Sequence, residues 1–126
     1  MIAIDTSSLK RYLAGEVDLD TALVGRAVVT GEAVLPPIVL TEGLSDPDLT
    51  DEDAEFLRSL PLLRLYGGYW ARAGNLRRDL LVNRLAKDTP DCLVAQACID
   101  ADVPLITYDR DFLRFIKAGL KLVVEV

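Results

Sequence analysis

The chain has 126 residues, with 14 Lys and Arg, 20 Asp and Glu, and a formal net charge of −6. Its length favours one domain over residues 1–126, and its 51% hydrophobic and 27% charged residues exclude a disordered or membrane-embedded chain. The sequence contains no histidine, which excludes Ser-His-Asp and Cys-His catalysis and His-ligated zinc. Chemistry near neutral pH would therefore rely on carboxylates and oxygen-seeking cations.

The elements predicted from hydrophobic periodicity and capping signals alternate short apolar strands with helices. In chain order they are a strand at Met1–Ile4, helices at Ser7–Ala14 and Leu19–Val29, a strand at Ala33–Leu35, a short helix through Leu44, a helix from the capping box at Thr50 to Leu60, a strand at Leu62–Leu65, helices at Tyr69–Ala86 and from Pro90 to Asp100 with Thr89 as cap, a strand at Pro104–Thr107, a helix at Arg110–Ala118 and a strand at Leu122–Glu125.

This alternation predicts an α/β fold with three α/β/α layers and a doubly wound, mainly parallel central sheet. Cys92 and Cys98 fall on different faces of one predicted helix, so we expect buried free thiols rather than a disulfide. The segment Met1–Tyr12 lacks the basic and apolar regions of a signal peptide, so we expect none, and no apolar run approaches the ~20 residues of a membrane span. We therefore expect a cytoplasmic protein that has no membrane contact.

Four acidic residues are predicted to lie at one edge of this sheet. Asp5 directly follows the first strand, and Asp109 follows the strand that contains Leu105 and Ile106. Asp91 lies in the first turn of its helix, and Glu42 lies about one and a half turns into the helix after the second strand. In parallel α/β sheets the carboxyl ends of the strands form the ligand crevice, so these four carboxylates are predicted to converge there.

Converging carboxylates repel one another, and a cluster that lacks a buried Lys or Arg needs a cation. Mg²⁺ and Mn²⁺ prefer oxygen ligands, and either ion can activate water for attack on a phosphodiester. Ser7 and Thr107 are close enough in the predicted fold to hold a water or a ligating carboxylate. Each acid alone also fits a plain structural role: a turn residue for Asp5, a helix N-terminus for Asp91 and Asp109. Glu42 alone fits a solvated helix face.

Three segments of the sequence resemble the PIN-domain ribonucleases, and among them the VapC-like toxins of prokaryotic toxin–antitoxin pairs. These segments are IDTSSL, LTEGLS and TPDCLVAQACIDADVPLITYDRDF. The resemblance implies a Mg²⁺- or Mn²⁺-dependent endoribonuclease whose metal ligands are Asp5, Glu42, Asp91 and Asp109. Ser7, Thr107 and Asp111 match accessory positions, whereas Asp88 adds a carboxylate where many members have a neutral residue. Asp88 is therefore either accessory or a helix-start residue.

The resemblance further implies an RNA substrate, a cognate antitoxin as protein partner, and a homodimer. Basic residues cluster between Ala71 and Lys87, a segment that contains five basic residues and one acidic residue, Asp79. These bases either line an RNA groove or form a solvated helix face. The tentative RNA contacts are Arg72, Arg77, Arg78, Arg84 and Arg110. Tyr69 and Trp70 favour core or dimer packing over base stacking.

Other motifs give weaker interpretations. The sequence has no P-loop and no Rossmann glycine pattern, and the acidic stretch from Asp46 lacks the glycine and glutamate of a calcium loop. Two rivals stay open beside the nuclease: a non-catalytic PIN-like module that binds RNA or protein, and a phosphoacceptor domain. The second lacks the lysine that such domains place after a late strand, because Tyr108 follows Thr107.

Overall fold

The computed structural model describes residues 1–85 and 88–123. Its strands are β1 (Ile2–Ile4), β2 (Ala33–Val34) and β3 (Leu105–Ile106). Its helices are α1 (Thr6–Leu13), α2 (Leu19–Val29), α3 (Pro37–Leu44), α4 (Asp51–Ser59), α5 (Tyr69–Val82), α6 (Thr89–Ala101) and a 3₁₀ helix (Arg110–Ala118).

The three strands form a parallel sheet in the order β2-β1-β3. Ala3 in the central strand aligns with Val34 on one side and with Leu105 on the other. The chain therefore moves outward from β1 to β2 and then crosses back over β1 to β3. Right-handed crossovers in these opposite directions put helices on opposite faces of the sheet. This arrangement confirms the predicted α/β/α fold with a doubly wound parallel sheet.

The predicted strand at Leu62–Leu65 is reduced to a single bridge between Leu62 and Leu35. Leu35 donates its N–H to the carbonyl of Pro61 and accepts from the N–H of Leu63. The ladder cannot continue, because the next donor on that strand would be Pro37, which has no N–H and instead opens α3. Two consecutive prolines thus convert a predicted strand pair into one bridge.

Two other predictions reach residues beyond the described ranges. The last predicted strand, Leu122–Glu125, contributes one bridge from Leu122 to Leu105, and its residues 124 and 125 lie outside the described part of the chain. The helix predicted over Tyr69–Ala86 ends at Val82, and residue 86 lies outside the described ranges. Asn83 ends α5 by donating from its amide to the carbonyl of Asp79.

Two helix starts and one helix type differ from the predictions. α1 begins at Thr6 rather than Ser7, and α6 is capped by Asp88 rather than by Thr89, which is its first residue. The segment Arg110–Ala118 is helical as predicted but winds as a 3₁₀ helix. Its three-residue period puts Phe112 and Phe115 on one face, where both are fully buried.

The core lies around the sheet and under α6, where Ile4, Leu35, Leu105 and Ile106 are almost completely buried. Cys92 and Cys98 are buried and do not form a disulfide, as predicted. Burial raises the pKa of the Cys98 thiol to about 12, which keeps it protonated and unreactive at neutral pH. Among the helices of the described residues, none has the length and apolar character that would let it cross a membrane.

Candidate active site at the carboxyl edge of the sheet

Asp5 is the centre of the polar network at the carboxyl ends of β1 and β3. It occupies the N-cap position of α1, yet its side chain makes no capping bond to the helix. Its carboxylate instead accepts hydrogen bonds at Oδ2 from the hydroxyls of Ser7 and Thr107, each at 2.8 Å. The helix-cap role therefore does not account for this carboxylate, which is held toward the neighbouring strand.

The Asp5 carboxylate is buried, with only 4% of the residue exposed. Burial raises its pKa above the ordinary value, and the nearby charge of Glu42 acts in the same direction. Hydrogen bonds from Ser7, Thr107 and the backbone of Thr6 oppose this rise. None of these neighbours is a cation, so within the described residues Asp5 is a buried acid without a basic partner.

Glu42 reaches the same edge from α3. The Thr6 hydroxyl donates to Glu42 Oε1 at 2.7 Å, and Thr6 follows Asp5 directly. This contact orients Glu42 beside Asp5 and explains why the charge of one carboxylate raises the pKa of the other. A residue on a solvated helix face would be fully exposed, whereas Glu42 is half-buried.

Asp109 is tied to Asp5 through Thr107. The Thr107 hydroxyl donates to Asp5 and accepts from the backbone N–H of Asp109 at 3.0 Å. The Asp109 carboxylate accepts the N–H of Asp111 at 2.9 Å and so caps the 3₁₀ helix. The capping role and a metal-binding role are compatible, because each oxygen of a carboxylate can accept more than one contact. Asp111 itself is exposed.

Asp91 lies in the first turn of α6, where Asp88 caps the helix by accepting the Asp91 N–H at 3.0 Å. α3 and α6, the helices that carry Glu42 and Asp91, pack against each other. Within the described ranges, however, no three Asp, Glu or Cys side chains stand close enough together to hold a metal ion. The structure thus links the Asp5 carboxylate to the backbone of Asp109 through Thr107 and places Glu42 beside Asp5 through Thr6. None of these contacts includes Asp91.

The sequence profile of the PIN domain matches residues 2–118, which is nearly the whole chain. The chain belongs to the PIN-domain family. No curated protein compared with it gives a significant match. The PIN domain is a nuclease-type domain, and PIN domains generally use divalent metal ions.

The carboxylate oxygens of this PIN domain are the type of ligand that a divalent metal ion prefers. Asp5 is a buried carboxylate with a second carboxylate, Glu42, beside it and no basic partner in the described part of the chain. A hard cation is the usual way to compensate such a pair, since it prefers oxygen ligands. Ser7 and Thr107 hold the Asp5 carboxylate on one side, which leaves Asp5 Oδ1 as the oxygen not engaged by these hydroxyls.

The basic residues predicted to contact RNA have different environments in the PIN domain. Arg72 forms two hydrogen bonds with Asp100, at 3.0 and 2.6 Å, and a third with the carbonyl of Gly67. This bidentate pair joins α5 to α6, which gives Arg72 a structural role. Arg78, Arg84 and Arg110 are exposed, and Arg77 is half-buried between α5 and α6. Lys87, which completed the predicted basic cluster, lies outside the described residues.

Sequence reasoning missed a second polar network beside the site. The guanidinium of Arg11 lies 3.7 Å above the ring of Tyr108 and is held by Asp18 and Asp20 of the α2 start. Asp20 is buried and also accepts from Ser8 at 2.8 Å. The Tyr108 N–H donates to Ser7 Oγ at 3.2 Å, so this network reaches the Asp5 site. The sequence signal that could have indicated this network is an arginine, Arg11, followed by acidic residues seven and nine positions later.

Proposed function

We propose that this PIN domain is a metal-dependent endoribonuclease that hydrolyses RNA phosphodiester bonds with the help of Mg²⁺ or Mn²⁺. The observation that carries the proposal is the Asp5 carboxylate, which is buried beside Glu42 and held by hydroxyls from two elements. Two neighbouring carboxylates, one of them buried and without a basic partner in the described residues, are unfavourable unless a cation compensates their charge. The nuclease character of the family supports the same conclusion.

In this proposal Asp5, Glu42, Asp91 and Asp109 are the metal ligands. When bound, the ion would supply an activated water and neutralise charge on the phosphate oxygens. The chain's own residues prepare the ligands for that role. Thr107 and Ser7 fix the orientation of Asp5, Thr6 fixes Glu42, and Thr107 positions the backbone of Asp109. Of the accessory residues, Asp88 accepts the backbone N–H of Asp91 through its carboxylate, and Asp111 donates its backbone N–H to the carboxylate of Asp109.

The toxin role is a separate part of the proposal and rests on the resemblance to VapC-like toxins. We expect a cytoplasmic homodimer that is neutralised by a cognate antitoxin. Expression of the chain in a bacterial host should then arrest growth, and an antitoxin produced together with it should restore growth. Growth that continues while soluble, folded protein accumulates would contradict the toxin role but not the nuclease activity.

The nuclease activity is tested by incubating the purified protein with a labelled single-stranded RNA in EDTA and then in Mn²⁺ or Mg²⁺. We expect no cleavage in EDTA and internal cleavage once the divalent ion is added. RNA binding without cleavage in either condition would instead identify a non-catalytic RNA-binding module. Equal cleavage with and without the ion would contradict metal dependence.

A further inference from the structure

The loop between β3 and the 3₁₀ helix carries an exposed aromatic residue, Tyr108. This residue lies between Thr107, whose hydroxyl holds the Asp5 carboxylate, and Asp109, a proposed metal ligand. Tyr108 is 56% exposed, so burial in the core contributes little to fixing this part of the loop. The conformation of the loop therefore depends on specific contacts.

The guanidinium of Arg11 provides such a contact. Its central carbon lies over the Tyr108 ring, 3.7 Å from the ring centroid, and a cation at that distance is attracted to the face of an aromatic ring. Arg11 belongs to α1, the helix that begins directly after Asp5. The stack of Arg11 on Tyr108 thus ties the loop after β3 to the helix after β1.

Arg11 is itself fixed by two acids at the start of α2. Asp20 accepts from its Nε at 3.1 Å and from one terminal nitrogen at 3.3 Å, and Asp18 accepts from that same nitrogen at 2.9 Å. The N–H donors of a guanidinium lie in its plane, so these bonds leave its face for the aromatic ring. The two carboxylates also offset the charge of Arg11, which lies over the ring of Tyr108 and is not paired with the Asp5 carboxylate.

The backbone of the same loop is connected to the candidate site. The Tyr108 N–H donates to Ser7 Oγ at 3.2 Å, and the Ser7 hydroxyl donates to Asp5 at 2.8 Å. The Thr107 hydroxyl lies 3.3 Å from that of Ser7 and donates to the same carboxylate oxygen. A displacement of Tyr108 would therefore move the hydroxyls that orient Asp5, together with Asp109, the next residue of the chain.

We propose that Arg11 is a positioning residue, which by stacking on Tyr108 holds the loop that carries Asp109 and so raises the affinity of the site for a divalent ion. The inference rests on the proposed function and adds Arg11 and Tyr108 to the residues that prepare its metal site. A loop that is ordered before the ion arrives loses less conformational freedom when the ion binds. Lysine would not replace Arg11, because an ammonium group lacks the planar face and the fork of donors that this arrangement uses.

Binding of Mn²⁺ to the metal-free protein tests this proposal without RNA and without cleavage. The electron paramagnetic resonance signal of free Mn²⁺ gives the dissociation constant. Tyr108→Leu removes the ring and should weaken binding about twofold to fivefold, the range that corresponds to an exposed cation–π contact. Tyr108→Phe keeps the ring and should bind Mn²⁺ like the wild type. Arg11→Lys, which keeps a positive charge beside Asp20, should weaken binding about as much as Tyr108→Leu.

Tyr66→Leu is the matched control, because a second arginine and tyrosine stack in the segment before α5. The guanidinium carbon of Arg64 lies 5.1 Å from the centroid of the Tyr66 ring, and Tyr66 is 43% exposed. The substitution removes a ring from a similar pair outside the loop after β3. We therefore expect the affinity for Mn²⁺ to stay at the wild-type value.

Amide hydrogen exchange in the metal-free protein separates positioning of the loop from a loss of stability. In Tyr108→Leu and Arg11→Lys we expect faster exchange of the N–H groups of residues 108 and 109. The N–H of Ala3, which donates to the carbonyl of Pro104 within the sheet region, should keep its protection. Faster exchange of Ala3 to the same extent would show a general destabilisation and overturn the proposal.

Three other results would also overturn the role of Arg11. These are an unchanged Mn²⁺ affinity in Tyr108→Leu, binding by Tyr108→Phe as weak as that by Tyr108→Leu, and unchanged exchange of the loop amides in Arg11→Lys. A wild-type protein that binds no Mn²⁺ would instead contradict the proposed metal-dependent function and, with it, this extension. The two failures are thus distinguishable, because the first three results arise in a protein whose wild type binds the ion.

Discussion

At the scale of single residues, two hydroxyls determine the geometry of the site. Thr107 donates to Asp5 and accepts from the N–H of Asp109, so one side chain holds two proposed ligands in register. Ser7 donates to the same oxygen of Asp5 and accepts from the N–H of Tyr108. The sequence alone identified both hydroxyls as candidates, but it did not indicate that they share one carboxylate oxygen. That detail depends on the register of β1 against β3.

Thr107→Val tests the role of this hydroxyl. Valine keeps the shape of threonine but removes both hydrogen bonds, and a hydrogen bond to a charged group contributes about 1.5–3 kcal/mol. We expect metal-dependent RNA cleavage to fall about tenfold or more. Thr107→Ser, which keeps a hydroxyl, should retain most of the activity in the same assay. Equal rates for the valine and serine variants would show that the hydroxyl does not position Asp5.

At the scale of elements, buried polar contacts decide how α1 meets α2. Ser8 of α1 donates to the buried Asp20 of α2, and Arg11 of α1 pairs with the same carboxylate. The hydrogen bonds to Asp20 hold its pKa below the ordinary value despite its burial, so it stays ionised at neutral pH. Because Arg11 also stacks on Tyr108, this contact between two helices supports the loop that follows β3.

Ser8→Ala tests this connection between the helices. The substitution removes a buried hydrogen bond to a charged acceptor, so we expect the free energy of unfolding to decrease by about 1–2 kcal/mol. Urea denaturation measures the change. Ser59→Ala, at an exposed serine of α4, is the matched control and should change the free energy by less than about 0.5 kcal/mol. A Ser8 variant as stable as the control would contradict the structural role of this contact.

The ion pair between Arg72 of α5 and Asp100 of α6 makes the stability of the protein depend on pH. Hydrogen bonds from Arg72 and Gln96 hold the pKa of Asp100 below its ordinary value. A lowered carboxyl pKa contributes stability above the pKa of the unfolded chain, near 4, and that stability is lost as the pH falls through the folded value. Asp100→Asn should therefore destabilise the protein most near pH 7, and the difference from the wild type should shrink below about pH 4. Thermal unfolding at several pH values measures it. A constant difference would contradict the ionised pair.

At the scale of the whole molecule, the sequence predicted the layers but not the extent of the sheet. Alternating strands and helices were sufficient for the α/β/α fold, because parallel strands need helical crossovers. The prediction of an extended strand at Leu62–Leu65 was wrong. Pro37 has no N–H to donate, so the hydrogen-bond ladder with this segment stops after Leu35. The sequence also did not predict that Arg110–Ala118 forms a 3₁₀ helix. The helix was predicted without use of the three-residue spacing of Phe112 and Phe115, which fits the 3₁₀ period.

The candidate site shows the same division between pattern and packing. Strand ends and helix starts located the proposed ligands Asp5, Glu42, Asp91 and Asp109 along the chain, and these positions are local properties of the sequence. The bonds of Thr6 to Glu42, of Arg11 to Asp20 and of Arg72 to Asp100 join residues from 9 to 36 positions apart. Such contacts depend on how the helices pack, which one sequence does not specify. The prediction of Arg72 as an RNA contact, for example, could not foresee its pairing with Asp100.

The central claim is that Asp5 serves metal-dependent RNA cleavage rather than the fold. Its most direct test compares Asp5→Asn with Glu55→Gln, which removes one negative charge at an exposed position of α4. Both variants are first checked for a folded far-ultraviolet circular dichroism spectrum and then assayed on one RNA in saturating Mn²⁺. We predict that Asp5→Asn lowers the cleavage rate at least about a hundredfold, while Glu55→Gln cleaves like the wild type. A folded Asp5→Asn variant that cleaves at the wild-type rate would contradict the account.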